Sequence, residues 1–415
     1  MASAPGPGPG RTPAVTTADE TNTTPQQDAS RARRTGPPAG GGLLVPMLLV
    51  PALLFGIPWW TLVVGGQSWP VPVVVALSLL AVVAFAGLQL LMTFGHGRRH
   101  LDAAARIGDT TLGVAWVLFT WSVLGQVVEP ALALAGVPDP LRSRIVAAAV
   151  LVVVLGLVVH GMVEALRLPR VRSRDVVLDR LGPGLDGLRV VVLADTHFGP
   201  LDRARWSAKV AGVVAGLRPD LLLHAGDLAD GDVADRERQV RPVADLQAPL
   251  GRYSIVGNHE HFSGAAQWVE HMRGLGWQPL VNAHGIVERD GDRLVVAGID
   301  DPTGIGRDLS GGPDLRAALA GTDPALPVLL LAHQPSQVRD AIAAGVDLQI
   351  SGHTHGGQVW PFHLLVRLDQ KQVSGLRRHG DRTQLYVSRG TGFWGPPLRI
   401  FAPSEITVLT LRAPH

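Results

Sequence analysis

The chain has 415 residues, with 37 lysines and arginines against 35 aspartates and glutamates, a net charge of +2, and no cysteine. Disulfides and thiol catalysis are therefore excluded, while the compartment stays open because a chain without thiols suits either redox environment. The near balance of charge makes no case for nucleic-acid binding, since most of the arginine excess lies beside apolar segments.

Residues 1–42 are rich in Pro, Gly, Thr and Ala and almost lack large apolar side chains, so they are expected to form a disordered tail that closes with Arg31, Arg33 and Arg34. Four apolar runs follow over 43–166. Leu43 to Val64 and Val71 to Phe94 carry no charge and have about the length that crosses a bilayer. Thr111 to Ala135 and Ile145 to Leu166 are less pure, containing Glu129 in one and His160 and Glu164 in the other. The competing reading of each run is a buried soluble helix, but apolar runs beyond about 18 residues are rare there, and four in succession favour membrane spans. A cleaved secretory signal fits poorly, because Leu43 to Val64 exceeds the usual apolar core of about 7–15 residues and another run follows it. Trp59, Trp60 and Trp69 fall where an interfacial belt belongs.

Orientation follows from the arginines. Arg31, Arg33 and Arg34 precede the first run, Arg98, Arg99 and Arg106 separate the second and third, and Arg167, Arg170, Arg172 and Arg174 follow the fourth. The remaining loops hold only Arg142 and Arg144. The positive-inside rule therefore predicts a multi-pass cell-membrane protein with both its N-terminus and its C-terminal domain in the cytoplasm. Arg33-Arg34 read as a twin-arginine export signal is the competing view, yet Thr35-Gly36-Pro37-Pro38 lacks the apolar continuation such a signal has. Glu129 and His160 are functional candidates by position within spans, against the plainer reading that both face the bundle interior.

Residues 167–187 read as a short basic linker, and 188–412 as a domain of alternating strands and helices, with amphipathic helices at Trp206 to Leu217 and Ser336 to Ala344. Its β-branched runs each end in polar residues. Leu188 to Leu193 leads to Asp195-Thr196-His197, Leu221 to Leu223 to Gly226-Asp227, and Tyr253 to Val256 to Gly257-Asn258-His259-Glu260. Val328 to Leu331 leads to His333, and Val346 to Ile350 to Gly352-His353-Thr354-His355-Gly356-Gly357-Gln358. Five strand ends thus deliver metal-ligand residue types to one sheet edge, where open α/β folds place their sites. The interleaved glycines permit close backbone approach around such a centre.

The order Asp-x-His, Gly-Asp, Gly-Asn-His-Glu, lone His, Gly-His-x-His resembles that of the calcineurin-like metallophosphoesterase superfamily, over roughly Leu181 to Arg412. The tail, with Tyr386-Val387-Ser388-Arg389-Gly390 and Pro397-Leu398-Arg399, is similar to the bacterial membrane-associated phosphodiesterase branch and to transmembrane proteins carrying such a domain. The resemblance implies a four-layer α/β/β/α sandwich behind the membrane bundle. It also implies two divalent cations, with Asp227 bridging, Asp195, His197 and His355 completing one site, and Asn258, His333 and His353 completing the other. Two such cations clamp the attacking and leaving oxygens of a phosphoryl group and generate hydroxide from a shared water near neutral pH. The set is all nitrogen and oxygen, which suits Mn, Fe or Zn. His259, one residue past Asn258, faces the other way along an extended loop, and in the family this histidine protonates or stabilises the leaving oxygen. For the fourth block, His284 competes with His333 but lacks a preceding strand run.

Other residues have plainer readings. His224 reads as a structural histidine beside the site and His261 as a substrate contact or a solvated loop residue. Asp230 and Asp232 read as caps of the turn or helix after Asp227. Asp300-Asp301 reads as a turn before Pro302, and Phe393 and Trp394 as loop aromatics packed on the domain rather than a lip of the cleft. Together these features predict a membrane-tethered metal-dependent phosphohydrolase, a phosphodiesterase or pyrophosphatase. Its expected partners are a phosphoester substrate, lipid-linked by virtue of location, and the membrane itself. A nuclease on the same fold would need a basic groove away from the membrane flanks. A non-catalytic sensor or transport protein would tolerate degenerate ligand positions, and none is degenerate.

Overall fold

A computed structural model describes residues 44–97, 100–307 and 309–414. The expected disordered tail over 1–42, with its arginines, and Arg98 and Arg99 lie outside the described residues. From Leu49 onward the chain packs as one unit.

Helix α1 (Leu44–Trp59) runs into a π-helical turn at Trp60–Val64 and is followed by α2 (Val71–His96), α3 (Asp102–Leu134) and α4 (Leu141–Leu166). Three of these, α2, α3 and α4, are long and apolar enough to cross a membrane, at 26, 33 and 26 residues. At 1.5 Å per residue even the shorter ones reach roughly 39 Å, against a hydrocarbon core of about 30 Å. The fourth expected span, the first in sequence, is a shorter apolar helix over Leu49–Val64. Pro51 and Pro58 interrupt its hydrogen-bond ladder and the π-helical turn changes its winding, so the run is apolar without being one long regular helix. Helix α2 leaves Val71, Leu79, Leu80, Val82, Val83 and Leu90 exposed, an apolar surface that a water-facing helix does not sustain.

Two acidic residues within the helices are ion-paired. Glu164 is buried near the end of α4 with Arg167 at 3.3 Å and Arg170 at 3.0 Å. Glu129 accepts from Ser143 at 3.2 Å and pairs with Arg142 at 3.6 Å. His160 is exposed on the helix surface rather than facing the bundle interior.

The rest of the chain forms two six-stranded sheets. One contains β1 (Arg170–Val177), β2 (Leu188–Leu193), β3 (Leu221–Ala225), β4 (Arg252–Ile255), β5 (Gln278–Pro279) and β12 (Glu405–Arg412), in the order β1-β12-β2-β3-β4-β5. The other contains β6 (Ala283–Arg289), β7 (Asp292–Gly298), β8 (Val328–Leu331), β9 (Leu348–Ser351), β10 (Gly375–Arg378) and β11 (Gln384–Val387), in the order β10-β11-β9-β8-β7-β6. Because side chains alternate along a strand, Val190, Val192, Leu221 and Leu223 of one sheet meet Leu294, Val296, Leu329 and Ile350 of the other in a single buried core. The opposite residues of the first sheet, Val191, Leu193 and Leu222, face α5 (Ala204–Gly216), α6 (Val233–Val240) and, beyond α7 (Asn258–Ser263), α8 (Ala265–Gly274). On the second sheet Val295, Ala297 and Leu330 are covered by α9 (Leu315–Ala318) and α10 (Val338–Ala343). The result is the expected four-layer sandwich.

The 167–187 segment is not a free linker. Three residues after α4 ends, β1 enters the first sheet parallel to β12, in register from Arg170↔Glu405 to Val177↔Arg412. It is an edge strand with mostly exposed side chains, and the charged residues that keep edges from aggregating also disguise it as a polar link.

The loop before β12 rests on α3 and α4. Leu398 and Ile400 join Val117, Val146, Val150 and Val154 in one buried cluster. The fit requires glycine. A Cβ on Gly161 of α4 would lie 2.9 Å from Ile400, and one on Gly113 of α3 would lie 2.7 Å from Pro396. Arg399 donates its backbone N–H to the Gly161 carbonyl at 3.0 Å.

Candidate active site

Every expected site residue follows the C-terminal end of a strand. Asp195 and His197 come after β2, Asp227 after β3, Asn258 and His259 at the start of α7 after β4, His333 after β8, and His353 and His355 after β9. Asp195, His197, Asp227, His333 and His355 are buried, while Asn258, His259 and His353 are half-buried. Five of them hold a left-handed backbone, with φ of 50° at Asp195, 43° at His197, 53° at Asp227, 70° at His353 and 51° at His355. Side chains other than glycine avoid that region at a cost on the order of 1–3 kcal/mol each, and such residues gather at functional sites.

The residues form two groups. Ligand-capable atoms of Asp195, His197 and His355 lie within 4.8 Å of one another, as do those of Asp227, His333 and His353. Asn258 Oδ1 joins the second group, 3.0 Å from His353 Nδ1. Asp227 Oδ2 stands between the groups, 3.1 Å from His333 Nε2 and 3.6 Å from His197 Nε2. A Cβ on Gly257 would strike the Asp227 carboxylate, which is why the chain passes there without one.

The arrangement fits cations. The Nε2 atoms of His197 and His355 face each other at 3.0 Å, close enough for one cation to engage both. Asp195 Oδ2 is buried without a hydrogen-bond partner, and such an orphaned group in a native site points to an ion or water. Burial pushes the Asp195 carboxyl up to about 6 even with histidines nearby, so it gains from a cation beside it. Asp227 is also desolvated, but His333, His259 and His197 more than offset that and hold it well below the ordinary carboxylate range. Burial, then the positive charge of His197 and Arg399, holds His355 well below the ordinary histidine value, the neutral state a metal ligand requires.

Asp230 is more than a cap. Its Oδ1 lies 2.7 Å from both His197 Nδ1 and His259 Nδ1, so one carboxylate orients a candidate ligand and a candidate proton donor together. Burial opposes charge on His259, but Asp227 and Asp230 prevail and raise it to about 10. With Nδ1 engaged, Nε2 is the ring atom left for a substrate. Asp232 does act as a cap, accepting from the Asp235 N–H at the start of α6. Phe262 and Trp394, exposed at 61% and 46%, stand edge-on to the His259 ring at 5.7 and 6.1 Å. Trp394 thus lips the site, whereas Phe393 is buried under the Arg203 guanidinium at 4.4 Å.

Three supporting residues escaped the sequence reading. Glu260 accepts from the N–H groups of Gly257, Asp227, Leu228 and Ala229 at 2.7–3.1 Å, fastening the β3 and β4 loops together. Its place in the Gly-Asn-His-Glu block was the available signal. Arg203 donates to the carbonyls of Thr196 and His197. Arg399 donates to the carbonyls of His355 and Ala402 at 3.1 and 2.8 Å, and its Nη2 lies 3.1 Å from His355 Nδ1. Arg399 closes the Pro397-Leu398-Arg399 tail, which was its available signal, whereas Arg203 stands in no local pattern.

The remaining histidines lie aside. His224 is buried against Thr196 Oγ1 at 3.2 Å, and burial lowers it to about 3, consistent with a neutral structural residue. His261 is neither solvated nor in the cleft, because it is buried against Asp300 at 2.7 Å. His284 is engaged with the Ala318 carbonyl at 2.8 Å.

The family model for calcineurin-like phosphoesterases matches residues 188–357. An uncharacterized metallophosphoesterase of Campylobacter jejuni is 32% identical over 340 residues, covering 81% of this chain and 89% of that protein. The chain belongs to the calcineurin-like metallophosphoesterases. This metallophosphoesterase is also similar to a transmembrane protein with metallophosphoesterase domain from Danio rerio, 35% identical over 269 residues, or 63% of this chain and 62% of that protein. It therefore spans less than two thirds of that relative's length. Among solved structures it overlaps the NAD nucleotidase of Haemophilus influenzae at a TM-score of 0.35 and 16% identity, over 49% of this chain and 45% of that one. The metallophosphoesterase family uses divalent metals, and the His/Asp groups described above are ones that could hold such ions.

Proposed function

We propose that this protein is a membrane-tethered phosphoester hydrolase acting on a phosphodiester or pyrophosphate at the bilayer surface. The observation that carries this reading is the pair of ligand groups meeting at Asp227, with His259 held beside them by Asp230. In this reading Asp195, His197 and His355 hold one divalent cation, Asn258, His333 and His353 hold a second, and Asp227 serves both. Bound there, Mn, Fe or Zn supplies Lewis acidity toward phosphoryl oxygens and lowers the pKa of nearby water.

The chain's own residues supply the rest. His259, kept protonated by Asp227 and Asp230, delivers a proton from Nε2 to the leaving oxygen, a role typically worth about 10²–10⁴ in rate. Asp230 fixes the orientation of that ring and of His197. Arg399, Arg203 and Glu260 hold the strained loops so that little reorganisation accompanies turnover. Phe262 and Trp394 offer apolar surface to the non-reacting part of a substrate.

Proximity to the membrane supports a lipid-linked substrate. Arg236 donates to the Asp230 carbonyl at 2.8 Å and forks onto Asp102, the first residue of α3, at 2.6 and 2.8 Å. One side chain thus separates the catalytic cluster from the end of a spanning helix. The arginine asymmetry supports a cytoplasmic domain. Arg106, Arg167 and Arg170 lie at the domain end of the helices, whereas Arg142 at the far end is paired with Asp139 and Glu129. The test is a turnover screen of the full chain in detergent with Mn²⁺, against phosphomonoesters, diesters, nucleotides and lipid-linked pyrophosphates. Diester or pyrophosphate hydrolysis is expected. Binding without turnover across the panel would instead establish a non-catalytic sensor.

A further inference from the structure

Helix α11 (His363–Gln370) follows the His355 loop, and the residues leading into it touch α3. Phe362, just before it, meets Trp116 of α3 edge-on at 5.7 Å, and Trp360 lies 6.0 Å from Trp121. Trp121 stands 19 residues past Asp102, the start of α3, roughly 28 Å along the helix. This part of the domain therefore runs beside the spanning portion of α3 and not merely at its end. The same segment leaves Leu364, Leu365, Leu368 and Phe401 exposed, the last two at 71% and 64%. A cluster of large apolar side chains beside a membrane helix belongs in the bilayer interface, as an amphipathic helix lying in that plane does.

Beside α11 is a cavity of about 400 Å³. It is lined by His363, Arg367, Lys371 and Arg377 together with Trp360 and Phe401, and no carboxylate lines it. Arg367 and Arg377 have no acidic partner among the described residues. Lys371 donates to the Leu368 carbonyl at 2.8 Å, which pins its ammonium beside the helix. Uncompensated guanidinium groups in a concavity recognise phosphate by charge-assisted hydrogen bonds, and a basic pocket at the membrane flank attracts anionic headgroups.

We propose that this cavity binds the phosphate headgroup of an anionic phospholipid, with α11 and Phe401 seated among its acyl chains. Charge complementarity selects the headgroup, and the leucines and aromatic walls select a lipid over free phosphate, which would use none of them. The site is separate from the metal-ligand groups. It borders them through Gly356 and Gly357, which line the cavity immediately after His355.

Native mass spectrometry of the full chain in a neutral detergent tests this, with phosphatidylglycerol, phosphatidylcholine and inorganic phosphate titrated separately. One phosphatidylglycerol is expected to be retained at concentrations where phosphatidylcholine is not. The double variant R367Q/R377Q should weaken that retention at least tenfold, whereas R367K/R377K, which keeps both charges, should preserve most of it. L368Q should weaken it through the acyl chains. Equal retention by R367Q/R377Q and the unsubstituted chain would overturn the proposal. So would inorganic phosphate displacing the lipid at equal concentration, which would mark a free-anion site. Because the readout is binding without turnover, its failure leaves the hydrolase reading standing, and failure of turnover leaves this site untouched.

Discussion

The imidazole of His259 is anchored through Nδ1, which lies 2.7 Å from Oδ1 of Asp230. Because the same oxygen engages His197, changing this carboxylate bears on the proton donor and on a candidate ligand at once. Burial works against the charged form of His259, and Asp227 and Asp230 reverse that to about 10. A donor raised in this way keeps its proton below that value and loses it as pH rises through it. Asp230→Asn removes one of the two anions, so the alkaline limb of kcat/KM should move down toward the ordinary histidine value of about 6.5. A pH–rate profile measures this, and an unmoved limb would assign the limb to another group.

His259→Ala should leave metal content nearly intact and slow hydrolysis of a poor-leaving-group ester by roughly 10²–10⁴. With a nitrophenyl phosphodiester the loss should shrink, since a good leaving group scarcely needs a proton. Equal slowing of both substrates would replace proton donation with a general electrostatic role.

Asp227 stands within 3.6 Å of one histidine from each ligand group. Asp227→Ala should therefore lower the bound metal of both groups, whereas Asn258→Ala should affect only its own. Elemental analysis of the purified chain measures this. A single ion per folded, metal-saturated chain would remove the dinuclear assignment.

Gly161 carries the seat of the Arg399 loop. Gly161→Leu should force Ile400 and Leu398 aside and destabilise the docked domain by about 1–3 kcal/mol, as overpacking does. Gly156→Leu, on the same helix with open space around it, is the control and should leave the unfolding temperature unchanged. Thermal unfolding in detergent compares the two, and equal behaviour would mean that the contact contributes nothing to stability.

For topology, the absence of cysteine allows a single reporter thiol. Ala135→Cys lies exposed at the end of α3 remote from Asp102 and should be labelled from outside in intact cells, while a cytoplasm-dependent reporter fused after His415 stays active. Proteolysis of the domain in intact spheroplasts would place it on the outer face.

What the sequence determined by itself was the set of local patterns. Apolar runs marked β2, β3, β4, β8 and β9, and the polar block after each run marked the residues that converge on one edge, because strand ends carry their own signal. Length and apolarity marked the spanning helices. Local composition did not reveal Pro51, Pro58 and the π-turn as limits on the first helix, or β1 as a strand, because an exposed edge strand looks like a polar link until β12, more than 200 residues later in sequence, pairs with it. Only tertiary structure turned Asp230 from a cap into the partner of two histidines and brought Arg399 against His355. It also brought Trp360 and Phe362 against α3. Each of these depends on contacts between segments far apart in the chain, and such contacts leave no periodicity or motif in a single sequence.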